Sequence, residues 1–352
     1  MIVGCLAICG SSRFEISSHL QSGCCRTRAA RLCGGEINLS SQTENCGRPR
    51  RGGTGKKKLI VAADDLGLTR RINEAIAKAH RDGIVTSASL IATGGAFESA
   101  VDVLKQNPRL DAGLHLNLTE GYAVTPYDQI PSLANSKGFL YHHPFDLLKA
   151  FLQRRVPLID LEREIRGQLQ KVSAAGIRLT HLDGHKHVHV VPKVFHLICR
   201  IAPDYGIRAV RSTIEKTPKL HSLIARNFGR VGQIFKQYVF GKTLSGTFLL
   251  ASFGNGSLAL KTPERFYGIT QTGFLDLRAF SDMVGDLPNG ISELMCHPGY
   301  VDEELTRTPT RLHFQREREL ELLIGREVRV LLENAGVVLA SYRDLGDCRN
   351  NG

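Results

Sequence analysis

No stretch of this 352-residue chain is apolar for long enough to span a bilayer as a helix. No Lys/Arg stripe carries interleaved aromatics, so nucleic acid is not an expected partner despite a formal charge of +12. That charge is uneven. Residues 1–58 hold ten Lys and Arg against three Glu, which is +7, and only +5 remains on the other 294 residues. Cysteine is scarce beyond that point: Cys199, Cys296 and Cys348 do not make a disulfide scaffold, and they fit a reducing compartment. The other six (Cys5, Cys9, Cys24, Cys25, Cys33 and Cys46) lie in the N-terminal segment without a paired CxxC spacing, which argues against a zinc knuckle. No short-period repeat is present.

Residues 1–58 show neither helical nor strand periodicity and end in the linker-like run "GRPRRGGTGKKK", and the extension is placed at 1–57. "MIVGCLAICG" is short and has no basic residue before it, so it makes a poor signal peptide. The segment is expected to be a disordered basic Cys/Arg-rich extension. A transit-type leader and a misassigned start are the other readings. One domain is expected over 58–346, with a tail at 347–352. The expected location is cytoplasmic, and a homodimer is expected on base rate alone.

From Leu59 onward strands and helices alternate. "LIVAAD", "IVTSASLIA", "LDAGLHLNL", "RLTHLD", "IRAVRS", "RFYGIT", "ISELMCHP" and "VVLASY" read as eight strands. Between the first two, Ile72, Ala75, Ile76 and Ala79 predict a helix with Thr69 as N-cap and Gly83 as its stop. Leu161, Ile165, Leu169 and Val172 predict another, ending at Gly176, and Pro192 opens a third. Further helices are expected over about 97–108, 276–286 and 313–335. A long loop is expected after the third strand and an irregular insertion over about 217–262. The alternation predicts an α/β fold with a parallel sheet, a closed or distorted (β/α)₈ barrel.

Barrels of this kind put their chemistry where strands end. Asp64 and Asp65 end the first strand, His115 the third and His297 the seventh. The fourth runs into His181, Asp183, His185, His187 and His189, whose odd numbers converge on one face if the chain is extended. Each motif has an ordinary reading too. Asp-Asp-x-Gly is a common turn or cap device, His115 a core histidine, the 181–189 cluster a solvated loop, and His297-Pro298-Gly299 loop chemistry. Together they supply two imidazoles and a carboxylate for one catalytic cation, leaving a second aspartate as a base. That donor set suits Zn²⁺ and other first-row ions and also admits Mg²⁺. Arg211, ending the fifth strand, reads equally as a substrate contact or a surface arginine.

"LIVAADDLGLTRRINEAIAKAHRDGIVTSASL", "AGLHLNLTEG", "THLDGHKHVHVVPKVF" and "SELMCHPGY" together resemble the YdjC-type carbohydrate deacetylases. That group includes chito-oligosaccharide deacetylases and a branch named for hopanoid biosynthesis. The resemblance spans about residues 57–345. It implies a distorted (β/α) barrel, one divalent ion given as magnesium, and hydrolysis of an N-acetyl group from a saccharide. It implies Asp65, His115 and His185 as metal ligands, Asp64 as general base, and His297 as acid or oxyanion partner. Leu66 stands where the family commonly has Phe. Two other classes remain open from the residues alone: a different metal-dependent barrel hydrolase, either phosphoesterase or amidohydrolase, and a non-catalytic binding protein.

Overall fold

Leu59, Ile60, Val61, Ala62 and Ala63 follow one another without a polar residue, and all five are fully buried. A strand covered on both faces belongs inside a parallel sheet, and that is where this run lies. The computed structural model describes residues 56–216, 228–253 and 260–346. In it β1 (Lys57–Leu66) pairs in parallel with β7 (Gly290–Cys296) along one whole edge, from Lys57 with Gly290 to Ala63 with Cys296. Its other edge is shared. β8 (Val338–Ala340) takes Lys58 to Ile60, and β2 (Ser87–Leu90) takes Ala62 onward.

The remaining strands are β3 (Asp111–Leu116), β4 (His181–Gly184), β5 (Ala209–Val210) and β6 (Arg265–Tyr267). The sheet runs β5-β4-β3-β2-β1-β7-β6, all parallel. Single bridges from Ala209 to Lys261 and from Glu215 to Phe266 link its two ends. The eight expected strands are present, but they do not form an eightfold ring. Seven curl into a distorted half-barrel, and the eighth is wedged beside β1.

Strand residues alternate between two environments. Leu59, Val61 and Ala63 join the large core beneath the outer helices. Ile60 and Ala62 instead form a small inner cluster with Ala209, Ile291, Ala340, Tyr342 and Leu345. The C-terminal helix, Tyr342–Gly346, thus contributes to the filling of the sheet's interior. The ring of His181 stacks on Tyr342 with centroids 3.7 Å apart. Gly113 leaves it room, because a Cβ there would come within 2.2 Å of His181 Nε2.

Thr69 caps the helix Arg70–Arg81 as expected, its hydroxyl accepting from the Ile72 N–H at 3.2 Å. Gly83 is not a left-handed stop. The cap is Asp82, and a Cβ on Gly83 would lie 2.5 Å from the carbonyl oxygens of Ala79 and Leu323. Gly176 does take a positive φ of 78° after the helix Leu158–Ala174. The loop after β3 carries a helix, Pro144–Leu152. The expected helix at 313–335 is broken at extended Gly325 into Phe314–Ile324 and Arg326–Asn334.

The region expected to be irregular contains a 23-residue helix, Val231–Phe253. Its buried residues Ile234, Gln237, Gly241, Leu244, Phe248 and Ala251 do recur every three or four positions. Phe235, Val239, Phe240 and Leu250 occupy its exposed side, so no polar face marks the period in sequence. The expectations for 1–55, 217–227, 254–259 and 347–352 lie outside the described residues. Among the described residues no helix is long and apolar enough to cross a membrane.

Gly113→Ala forces a methyl into the His181 imidazole, and overpacking of this kind costs about 1–3 kcal/mol. Urea unfolding is expected to show that loss. An unchanged midpoint and slope would mean that the ring is free to move away.

Candidate metal centre

Two consecutive strand residues normally face opposite sides of a sheet. Asp64 and Asp65 escape that rule because the β1–β2 register shifts between Ala63 and Leu66 and Asp65 takes φ +68°. A bulge of this kind re-aims side chains, and here both carboxylates serve the C-terminal end of the sheet. The turn is held by Asn73, whose Oδ1 accepts from the Gly67 N–H at 2.6 Å.

One oxygen of Asp65 faces the two expected imidazoles. Its Oδ1 lies 3.3 Å from His185 Nδ1 and 3.6 Å from His115 Nε2. One ligand atom from each of Asp65, His115 and His185 falls within 4.8 Å of the others, a group able to hold a metal ion. The second nitrogen of His115, Nδ1, lies 2.7 Å from Asp183 Oδ1. With Nδ1–H donating there, the Nε2 lone pair is left facing Asp65, the tautomer that a cation requires. The donor set therefore fits a divalent ion on geometry as well as residue type.

The electrostatics agree. Burial alone would raise the Asp65 carboxyl, but the Arg316 guanidinium and His185 hold it well below the usual carboxylate range. Burial would lower the His185 imidazole, yet the carboxylates of Asp65 and Glu120 raise it to about 9. Burial would also raise Asp183, and Arg211 and His115 keep it far below its ordinary value.

A second set, Asp64, His115 and Asp183, also has ligand atoms within 4.8 Å. Its place is taken by Arg211, which is neither a surface residue nor open to substrate: it is 0% exposed. Its Nη1 and Nη2 donate to Asp64 Oδ2 and Oδ1, each at 2.7 Å. Nη1 is also 2.7 Å from Asp183 Oδ2, and Nε donates to Glu293 Oε1 at 2.8 Å. A fixed guanidinium thus already lies between these two aspartates, which leaves the Asp65 group as the candidate cation place among the described residues.

The histidine cluster does not converge as an extended chain would. The strand ends at Gly184, and Lys186 and His187 take φ +52° and +58° at the start of a tight 3₁₀ turn. Only His185 reaches Asp65. His181 sits inside the sheet, where burial lowers it to about 4. His187 is buried between Phe240 and Phe266, and burial lowers His189 to about 3. His297 is half-buried beside Asp64 and Asp65, and burial lowers it to about 4. It is therefore a neutral imidazole at neutral pH.

Four participants were not singled out in the sequence: Glu120, Glu293, Arg316 and Glu319. Glu120 comes from the loop after β3, pairs with Lys186, and lies 3.6 Å from His185 Nε2. Glu319 Oε2 accepts from the His297 N–H at 2.6 Å. One signal was available. Arg316 and Glu319 stand in the helical period with buried Leu320 and Leu323, and charge at core positions needs a buried partner.

A family model described as "YdjC-like protein" matches residues 58–334. A carbohydrate deacetylase of Brevibacillus brevis is 31% identical over 293 residues, covering 82% of this chain and all of that protein. One from Geobacillus stearothermophilus is 32% identical over 287 residues, covering 81% and 96%. A crystal structure from Enterococcus faecalis V583, provisionally described as a cellobiose-phosphate cleavage protein, superposes with a TM-score of 0.64 at 23% identity. It covers 82% of this chain and 99% of its own, and it shares the fold.

A divalent ion taking this place must displace the His185 proton, which is held up to about pH 9. Its apparent affinity is expected to fall about tenfold for each pH unit below that value. Titration calorimetry at pH 6, 7 and 8 reads this directly, and a flat profile would remove His185 from the ligand set.

Proposed function

This chain belongs to the YdjC-like protein family, and we propose that it is a metal-dependent carbohydrate N-deacetylase. It hydrolyses the acetamide of an N-acetylated saccharide to acetate and a free amine. One observation carries the reading: a three-residue ligand group, Asp65, His115 and His185, lies beside a carboxylate, Asp64, that takes no part in it. The carbohydrate deacetylases among its relatives support the same chemistry.

In this reading Asp65, His115 and His185 hold one divalent ion. Mg²⁺ is the family's expectation, and Zn²⁺ suits two nitrogens and one oxygen. When bound, the ion supplies Lewis acidity toward the amide carbonyl and toward water. Asp64 accepts the proton of the attacking water. Arg211 fixes that carboxylate in direction through two charge-assisted hydrogen bonds. Asp183 holds the His115 tautomer. His297 serves the far side of the reaction as acid or oxyanion partner. Because it rests neutral, the proton it gives to the leaving amine must first reach it during turnover.

The test is acetate release from diacetylchitobiose and other N-acetylated sugars, with and without chelator. Chelator-sensitive acetate release and one ion per chain are expected. Phosphate release from a generic ester, with two ions per chain, would favour a different hydrolase. Salt-sensitive DNA binding lost on removing residues 1–58, without hydrolysis, would favour a binding protein. Asp64→Asn is expected to lower turnover by about 10²–10⁴-fold while the ion stays bound. His115→Ala and His185→Ala should lose the ion, and either one keeping both ion and activity would refute the ligand assignment.

A further inference from the structure

Arg316 lies 251 residues along the chain from Asp65 and is 1% exposed. Its Nη2 donates to Asp65 Oδ2 at 2.6 Å, and its Nε donates to the Leu312 carbonyl at 3.1 Å. The two oxygens of Asp65 are thereby divided. Oδ2 is taken by the guanidinium, and Oδ1 faces His185 Nδ1 and His115 Nε2 at 3.3 and 3.6 Å. Asp65 departs from strand geometry at φ +68° near the end of β1, so the strand alone does not set its direction.

The helix that carries Arg316 is itself anchored to the loop after β7. Glu319 and Glu317 accept from the His297 and Val301 N–H groups at 2.6 and 2.9 Å, and the Gly299 N–H donates to the Arg316 carbonyl at 3.2 Å. Gly299 also leaves space for the arginine stem, since a Cβ there would lie 3.0 Å from Arg316 Cδ.

We infer that Arg316 is a positioning residue for the cation centre: by holding Asp65 Oδ2 it presents Oδ1 to the ion. The inference rests on the reading of Asp65, His115 and His185 as ligands, and the experiment separates the two. Equilibrium dialysis of the full chain against Mn²⁺ and Zn²⁺ measures affinity without substrate. A wild-type chain that binds neither ion refutes the ligand reading itself.

Arg316→Met is expected to weaken binding about 10–100-fold, as outer partners of metal ligands do. Glu317→Gln, on the same helix, keeps an acceptor for the Val301 N–H and should bind as the wild type does. A folded Arg316→Met with wild-type affinity overturns the inference. So does Glu317→Gln weakened as much as Arg316→Met, because the effect then belongs to the helix as a whole. If circular dichroism shows Arg316→Met unfolded, Gly299→Ala decides. It keeps every ligand and charge while pushing on the arginine stem; severalfold weaker binding supports the inference, and unchanged binding overturns it.

Discussion

Inside the curled sheet, three carboxylates from three strands meet the guanidinium of Arg211. Asp64, Asp183 and Glu293 lie 2.7, 2.7 and 2.8 Å from its nitrogens, and none of the four is more than 3% exposed. Taking away one partner of such a buried pair leaves an uncompensated charge, at a cost of about 3–5 kcal/mol. This ion cluster also joins the two ends of the structure. Through Asp183 it reaches His115 and the cation group. Through Glu293 it reaches the Tyr342 hydroxyl, at 2.5 Å, and hence the helix that helps fill the interior. Burial raises Glu293 to about 7 despite the guanidinium beside it. The charge that orders the centre and the packing that fills the sheet's interior are therefore not separable.

Backbone strain gathers at the same mouth. Among the described residues five that are not glycine have positive φ, and four of them, Asp65, Glu120, Lys186 and His187, surround the cation group. Each such residue costs roughly 1–3 kcal/mol and persists only where its surroundings over-determine it. Here the surroundings are identifiable: Arg316 on Asp65, Lys186 on Glu120, and Phe240 and Phe266 around His187. The strained turns let residues adjacent in sequence be used unequally. Asp65 faces the imidazoles while Asp64 stays with Arg211, and His185 reaches the centre while His187 and His189 stay in the wall.

Much of this was readable along the chain. The apolar run that opens at Leu59 announced a strand, Thr69 announced its helix start, and Pro192 announced another. The Asp64-Asp65 pair and His115 stood out because each comes where a strand ends, a position that chain order reveals; the choice of His185 from its cluster came from the family resemblance. The helix Val231–Phe253 was missed because both its sides are apolar, so the 3.6-residue period has no contrast. Gly83 was misread because its reason is the nearness of Leu323, 240 positions away, and not its own φ.

Residue type and spacing were enough for the parallel α/β architecture and for the donor types of a candidate cation site, since alternation and strand ends are local properties. They could not say which of four clustered histidines would serve, because that depends on the left-handed turn at Lys186 and His187. Nor could they give Arg211 its three carboxylates or Asp65 its arginine. Those pairs join residues 28 to 251 positions apart, and such partners meet only when the strands have curled and set their ends side by side.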